Sequence, residues 1–175
     1  MRKTLIVVDM QNDFITGALG SAEAVSIVEN VKRKIAEYVE RGDEIIFTRD
    51  THKENYLDTH EGKYLPVTHC VYGTYGWEIP SDIDIPSCEH IDKNSFGYAD
   101  WGFDNSTLMH REFDEIEIVG LCTDICVISN ALILRAVFPN IEITVDASCC
   151  AGVSPRTHKE ALDVMKCCHI CVVGE

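Results

Sequence analysis

Short apolar runs alternate with helical patterns along the whole chain. Residues 4–8, 44–48, 89–92, 115–119, 141–145 and 169–173 are rich in Ile and Val and are predicted as strands. Several lack a clean in/out alternation, as expected when both faces of a parallel sheet are covered. Between the first two lies a predicted helix, Ala22–Arg41, with Val28, Val31, Ile35, Tyr38 and Val39 along one face and Gly42 placed as a stop. Residues 123–138 read as a second helix, halted by Pro139. A third opens with Ser154 as N-cap and Pro155 at the first helical position, and turns Ala161, Leu162, Met165 and Cys168 inward. Strand–helix alternation of this kind predicts an α/β fold with a parallel sheet between helical layers.

One stretch departs from the pattern. Residues 50–85 show little periodicity but hold four Tyr, three His and a Trp. A loop that long in a compact domain is usually functional. In open α/β sheets ligands gather at the carboxyl ends of strands. Asp9, Asp50, Lys93, the 120–126 segment and Asp146 are all predicted at or just past such ends.

Composition narrows the class. With 175 residues, 46% of them hydrophobic and 25% charged, the chain is ordinary globular protein, expected as one domain over residues 1–175. Twenty-nine acidic residues against 15 basic ones give a formal charge of −14, which argues against a nucleic-acid partner. Nine cysteines, an odd number, cannot all pair within one chain, so reduced thiols and a cytoplasmic setting are expected. The N-terminal apolar run ends at Asp9, too short for a signal-peptide core of about 7–15 residues. The most apolar stretch, residues 116–138, carries Glu117, Asp124 and Arg135, so no membrane span is expected.

Candidate chemistry starts with Cys126. The strand at 115–119 runs through Gly120-Leu121-Cys122-Thr123-Asp124-Ile125-Cys126 directly into a helix. A thiol in a first helical turn feels the positive end of the dipole, and free N–H groups there can hold an oxyanion. That suits attack on a carbonyl, although a lone Cys in an apolar helix is more often core. Two ionisable groups raise the reading. Asp9, at a strand end, can cap a helix or take a thiol proton. Lys93, if it converges with Asp9 and Cys126, would favour the thiolate and steady the base.

A second constellation has metal-ligand character. Asp50 and His52 lie two apart on one side of an extended segment, with His60, Glu61 and His69 following. Such a set suits Zn, Mn or Fe. The C-x-x-C at Cys168–Cys171 has no second pair and is expected to point into the core.

Taken in order, five segments resemble the isochorismatase-like cysteine hydrolases, and within them the nicotinamidases. They are Val7-Val8-Asp9-Met10-Gln11-Asn12-Asp13-Phe14, Thr48-Arg49-Asp50-Thr51-His52, His69-Cys70-Val71-Tyr72-Gly73-Thr74, Asp92-Lys93, and Gly120-Leu121-Cys122-Thr123-Asp124-Ile125-Cys126-Val127. The resemblance implies a three-layer α/β/α sandwich with a six-stranded parallel sheet and a Cys126–Asp9–Lys93 triad. It also implies a cis peptide at Leu121–Cys122, with the N–H groups of Cys122 and Cys126 forming an oxyanion hole. Metal ligands carry over as Asp50, His52 and His69, with Glu61, or His60 in its place, as the fourth; zinc is expected first, Mn or Fe next. Phe14, Leu65 and Phe96 would flank the substrate ring. The implied activity is hydrolysis of a small amide, nicotinamide first, in NAD salvage, by a homo-oligomer with neither nucleic-acid nor membrane partners. The rivals are a metal-free amidase of N-carbamoyl or ureido compounds and a non-catalytic, thiol-rich metal-binding protein.

Overall fold

The computed structural model describes residues 2–102, 108 and 113–175. Six strands, β1 (Lys3–Val8), β2 (Glu44–Asp50), β3 (Glu89–Lys93), β4 (Glu115–Leu121), β5 (Glu142–Ala151) and β6 (Cys171–Val173), form one sheet in the order β3-β2-β1-β4-β5-β6. Every pairing is parallel. Helices α2 (Ala22–Arg41), α4 (Ile128–Val137) and α5 (Pro155–Cys167) flank it; two short helices, α1 (Asn12–Ile15) and α3 (His60–Tyr64), lie in the loops. The fold is the three-layer α/β/α sandwich.

Period-two alternation explains why the inner strands are apolar throughout. Leu5, Val7, Ile45, Phe47 and Val119 face α2, where Ala24, Ile27, Val31, Ile35 and Tyr38 are buried against them. Ile6, Val8, Ile46, Ile116, Ile118, Ile143 and Val145 enter the opposite core with Ala131, Leu134, Ala161, Leu162 and Met165. Val39 lies outside its predicted face and is 56% exposed, one step past the stripe that Tyr38 closes. The helix ends follow their caps. Ser21 accepts from the Ala24 N–H at 3.0 Å, and Gly42 closes α2 at φ 69°. Ser154 and Thr157 make a reciprocal capping box, with Pro155 opening α5.

Three boundaries differ from the periodic reading. β5 runs on to Ala151, so Asp146 lies within the strand rather than at its end. Its carboxylate is tolerated there because Lys34 reaches from α2 to within 2.9 Å and Ser148 donates to it. Residues 123–127 form a wide π-type turn before α4 begins. β6 starts at Cys171, because His169 adopts φ 59° and breaks the extension. Within the C-x-x-C, Cys168 is half-buried but Cys171 is exposed, as is Cys167, contrary to the expected inward packing.

Register decides where side chains leave the sheet. Val8 lies beside Thr48 on one side and Gly120 on the other, and Asp50 lies beside Lys93. The carboxyl ends of four strands therefore meet in one place, where the strand order reverses between β1 and β4. Gly120, at φ 119°, makes the approach possible, since a Cβ there would run into the Val8 backbone.

Candidate active site

Asp9 leaves β1 at φ 49°, tied by its N–H to the Thr48 carbonyl (3.1 Å) and by Oδ1 to the Thr48 hydroxyl (2.7 Å). Lys93 ends β3 and places Nζ 2.6 Å from Asp9 Oδ2, 3.6 Å from Cys126 Sγ and 3.9 Å from Asp50 Oδ1. Cys126 comes from the wide turn after β4. Exposures of 0, 3 and 5% for Asp9, Lys93 and Cys126 exclude bulk water from the cluster. The peptide between Leu121 and Cys122 is cis. The Cys122 carbonyl accepts the N–H groups of Ile125 (3.1 Å) and Val127 (3.0 Å), which folds the turn back beneath Cys126.

One cation serves two acids here. Burial raises the Asp9 carboxyl above its usual range, with Lys93 pulling it back. Burial and the neighbouring Asp9 charge push the Cys126 thiol well up, and Lys93 offsets only part of this. For Lys93, burial disfavours the ammonium, but its pairing with Asp9 outweighs that and raises it. Lys93 converges on both groups and favours the thiolate in direction, with burial opposing it. Asp9 and Cys126 share Lys93 Nζ as a neighbour, at 2.6 and 3.6 Å, and burial favours the neutral thiol. Such a thiol is activated by proton transfer on demand.

Next to it stands a group of four potential ligands. One donor atom each from Asp50, His52, Glu61 and His69 lies within 4.8 Å of the others. Residue 52 pairs with residue 71 in a short parallel bridge, which carries His69 up to His52. His69 Nδ1 lies 2.8 Å from the Val67 carbonyl, an acceptor only, so Nδ1 carries the proton and Nε2 presents its lone pair. Asp50 Oδ2 lies 2.9 Å from His52 Nε2 and 3.3 Å from His69 Nε2; Glu61 Oε1 is 3.7 Å from both. His52 Nε2 is nevertheless buried without a hydrogen-bond partner. Burial alone would raise Asp50, but the two histidines and Lys93 hold its carboxyl well below the usual range. Two imidazoles, two carboxylates and an orphaned buried nitrogen fit a divalent cation. Glu61, not His60, completes this group; His60 is exposed and tilts against Tyr64.

A cleft of about 790 Å³ opens beside the four, lined by His52, Glu61, Leu65, Phe96 and Ile125 among others. Leu65 and Phe96 thus both face this cleft. Phe14 is not among the lining residues; its ring packs at 5.5 Å from that of His69.

Residues with no chemical signature of their own hold this arrangement, and periodicity gave no hint of them. Gln11 is fully buried, its amide donating to the Asp50 and Trp77 carbonyls and accepting from the Asp50 N–H. Tyr56 lies edge-on to both His52 and His69 and donates to the Leu65 carbonyl. Asn130, also fully buried, accepts from Tyr98 N–H and the Trp101 indole while donating to the carbonyls of Cys126 and Phe96. Replacing Asn130 by Ala strands all four groups. We expect a loss of roughly 2–3 kcal/mol in denaturant unfolding, where one unpaired buried group alone costs about 1–3.

The parallel sheet, the buried acid–amine–thiol cluster and the adjoining ligand set define a hydrolytic enzyme of the α/β/α class. A family model described as the isochorismatase domain matches residues 3–173. The nicotinamidase/pyrazinamidase of Mycobacterium tuberculosis is 30% identical, with 94% of each chain covered. Among solved structures, the pyrazinamidase of Pyrococcus horikoshii in complex with zinc superposes with a TM-score of 0.84 at 30% identity over the full length of both chains. The N-carbamoylsarcosine amidase of Thermoplasma acidophilum superposes at 0.78 with 26% identity, covering 99% of this chain and 96% of that one. The chain belongs to the isochorismatase family, in its nicotinamidase-like group of hydrolases acting on amide C–N bonds. Among the described residues no helix is long and apolar enough to cross a membrane.

Proposed function

We propose that residues 1–175 act as one domain, a metal-dependent cysteine amidohydrolase with nicotinamide as its leading substrate and nicotinate and ammonia as products. The observation that carries this reading is Asp50, whose two oxygens reach both clusters: Oδ1 toward Lys93, and Oδ2 toward His52 and His69. A nucleophile and a ring anchor held by one buried carboxylate suit a small heteroaromatic amide. A divalent cation on Asp50, His52, Glu61 and His69, zinc first and Mn or Fe next, would supply a Lewis-acid anchor for the ring nitrogen. Phe14, Leu65 and Phe96 would bound the ring.

Asp9 takes the Cys126 proton as the sulfur attacks the amide carbon, and the N–H groups of Cys122 and Cys126 hold the oxygen as it becomes an oxyanion. Asp9 returns the proton to the amine nitrogen, so that ammonia departs and a thioester remains. Asp9 then deprotonates a water that attacks the same carbon. Collapse breaks the C–S bond, freeing the acid, and the proton on Asp9 restores the thiol. Lys93 keeps Asp9 ionised between steps.

The test is a panel of small amides, including nicotinamide, pyrazinamide and N-carbamoylsarcosine, assayed for ammonia with and without chelator. Nicotinamide should show the highest kcat/KM, and chelation should lower it about tenfold or more, with recovery on adding zinc. The structural likeness to N-carbamoylsarcosine amidase supports a second, metal-free reading. A leading ureido substrate with no chelator effect would favour that one.

A further inference from the structure

The turn that carries Cys122 and Cys126 is clamped from outside the cluster. Thr123, fully buried and next in sequence to Cys122, has its hydroxyl 2.8 Å from Nδ1 of His158 in the first turn of α5. One residue further on, both oxygens of Asp124 accept the Val153 N–H at 3.1 Å. Gly152 passes so close to His158 that a Cβ there would meet the His158 Cβ at 2.9 Å. Burial disfavours the charged imidazole of His158, holding it below the ordinary range. None of these residues belongs to the Asp9–Lys93–Cys126 cluster or to the ligand set.

We propose that His158 is a positioning residue for the amide hydrolysis: through Thr123 it fixes the peptide that presents the Cys122 N–H to the developing oxyanion. The role rests on the reading of the preceding section. The physical reason is the directionality of an oxyanion donor. A hydrogen bond weakens steeply as its angle closes, so a peptide free to rock loses transition-state binding while ground-state binding elsewhere in the cleft is unchanged. Asp9 and Lys93 come from β1 and β3, outside the clamped turn, and Cys126 keeps an anchor of its own, its carbonyl accepting from the Asn130 amide at 2.8 Å.

The test follows ammonia release and, in parallel, the rate at which iodoacetamide alkylates Cys126, read by peptide mass spectrometry. His158→Ala should lower kcat between about tenfold and a hundredfold, with KM within about twofold. Alkylation, which needs the thiolate but no oxyanion hole, should keep its wild-type rate. His158→Asn, whose amide can occupy the Nδ1 position, should restore most of kcat. Thr123→Val should match His158→Ala, and the double variant should be no worse than either single one. Unchanged kcat in His158→Ala would overturn the role, as would parallel losses of kcat, alkylation rate and melting temperature, which describe mere structural damage. A wild-type protein that releases no ammonia from any amide would overturn the underlying reading and the role with it. An active wild type with an indifferent His158 overturns the role alone.

Discussion

Cys126→Ala should abolish ammonia release from nicotinamide, whereas Cys122→Ala should retain much of it. The two thiols are four residues apart, and burial raises both, Cys122 to about 12. Neither is therefore marked out by a ready thiolate. Position separates them: Cys126 Sγ lies 3.6 Å from Lys93 Nζ, which is itself paired with Asp9, while only the Cys122 backbone is asked to contribute. Removing a nucleophile that works with its base as a unit costs on the order of 10⁴-fold or more in kcat/KM. Truncating Cys122 leaves its N–H in place and should cost only a few-fold. Equal losses in both variants would refute the assignment, as would an active Cys126→Ala enzyme. The comparison also separates the hydrolase reading from a thiol-rich metal-binding protein, for which neither substitution touches a turnover.

The contrast shows what a sequence can carry. Asp9, Lys93 and Cys126 were legible as candidates because each stands at or just past a strand end, and the end of a strand is visible in hydropathy. Their convergence came only with the family resemblance, because it depends on strand order and register, which hydropathy leaves open. The ligand set came from the family resemblance, which left the choice between Glu61 and His60 open. That choice is made by α3, a five-residue helix whose Thr59 cap turns Glu61 toward His52 and His69. The roles of Gln11, Tyr56 and Asn130 were invisible, since a buried amide or phenol announces nothing until the carbonyls it satisfies have been placed. Spacing was also silent on the energetic setting of Lys93. Spacing suggests attraction between charges but says nothing of desolvation, and in a site this dry desolvation outweighs the ammonium's pull on the thiol.

The same dryness makes the Lys93–Asp9 pair the second place where a single substitution should have a large effect. With both side chains at 1% exposure or less and 2.6 Å apart, removing one partner leaves a buried charge without compensation. Lys93→Met should cost about 3–5 kcal/mol in unfolding free energy at neutral pH, together with nearly all activity. The pH dependence gives the mechanism away. Asp9 already has a raised carboxyl pKa with Lys93 present, and without it the shift must be larger. A carboxyl that binds its proton more tightly in the folded state loses stability as pH rises from its ordinary 3.8 through the raised folded value. The stability gap between Lys93→Met and wild type should therefore narrow as the solution is acidified through that window. Neutralising the partner should rescue the fold but not the chemistry. Asn suits this better than an apolar residue, since residue 9 sits at φ 49°, where Asn is tolerated, and it keeps an oxygen for the Thr48 hydroxyl. The double variant Asp9→Asn/Lys93→Met should recover most of the lost stability and remain inactive. A double variant as unstable as Lys93→Met would show instead that the lysine stem, not the uncompensated charge of Asp9, holds this end of the sheet together.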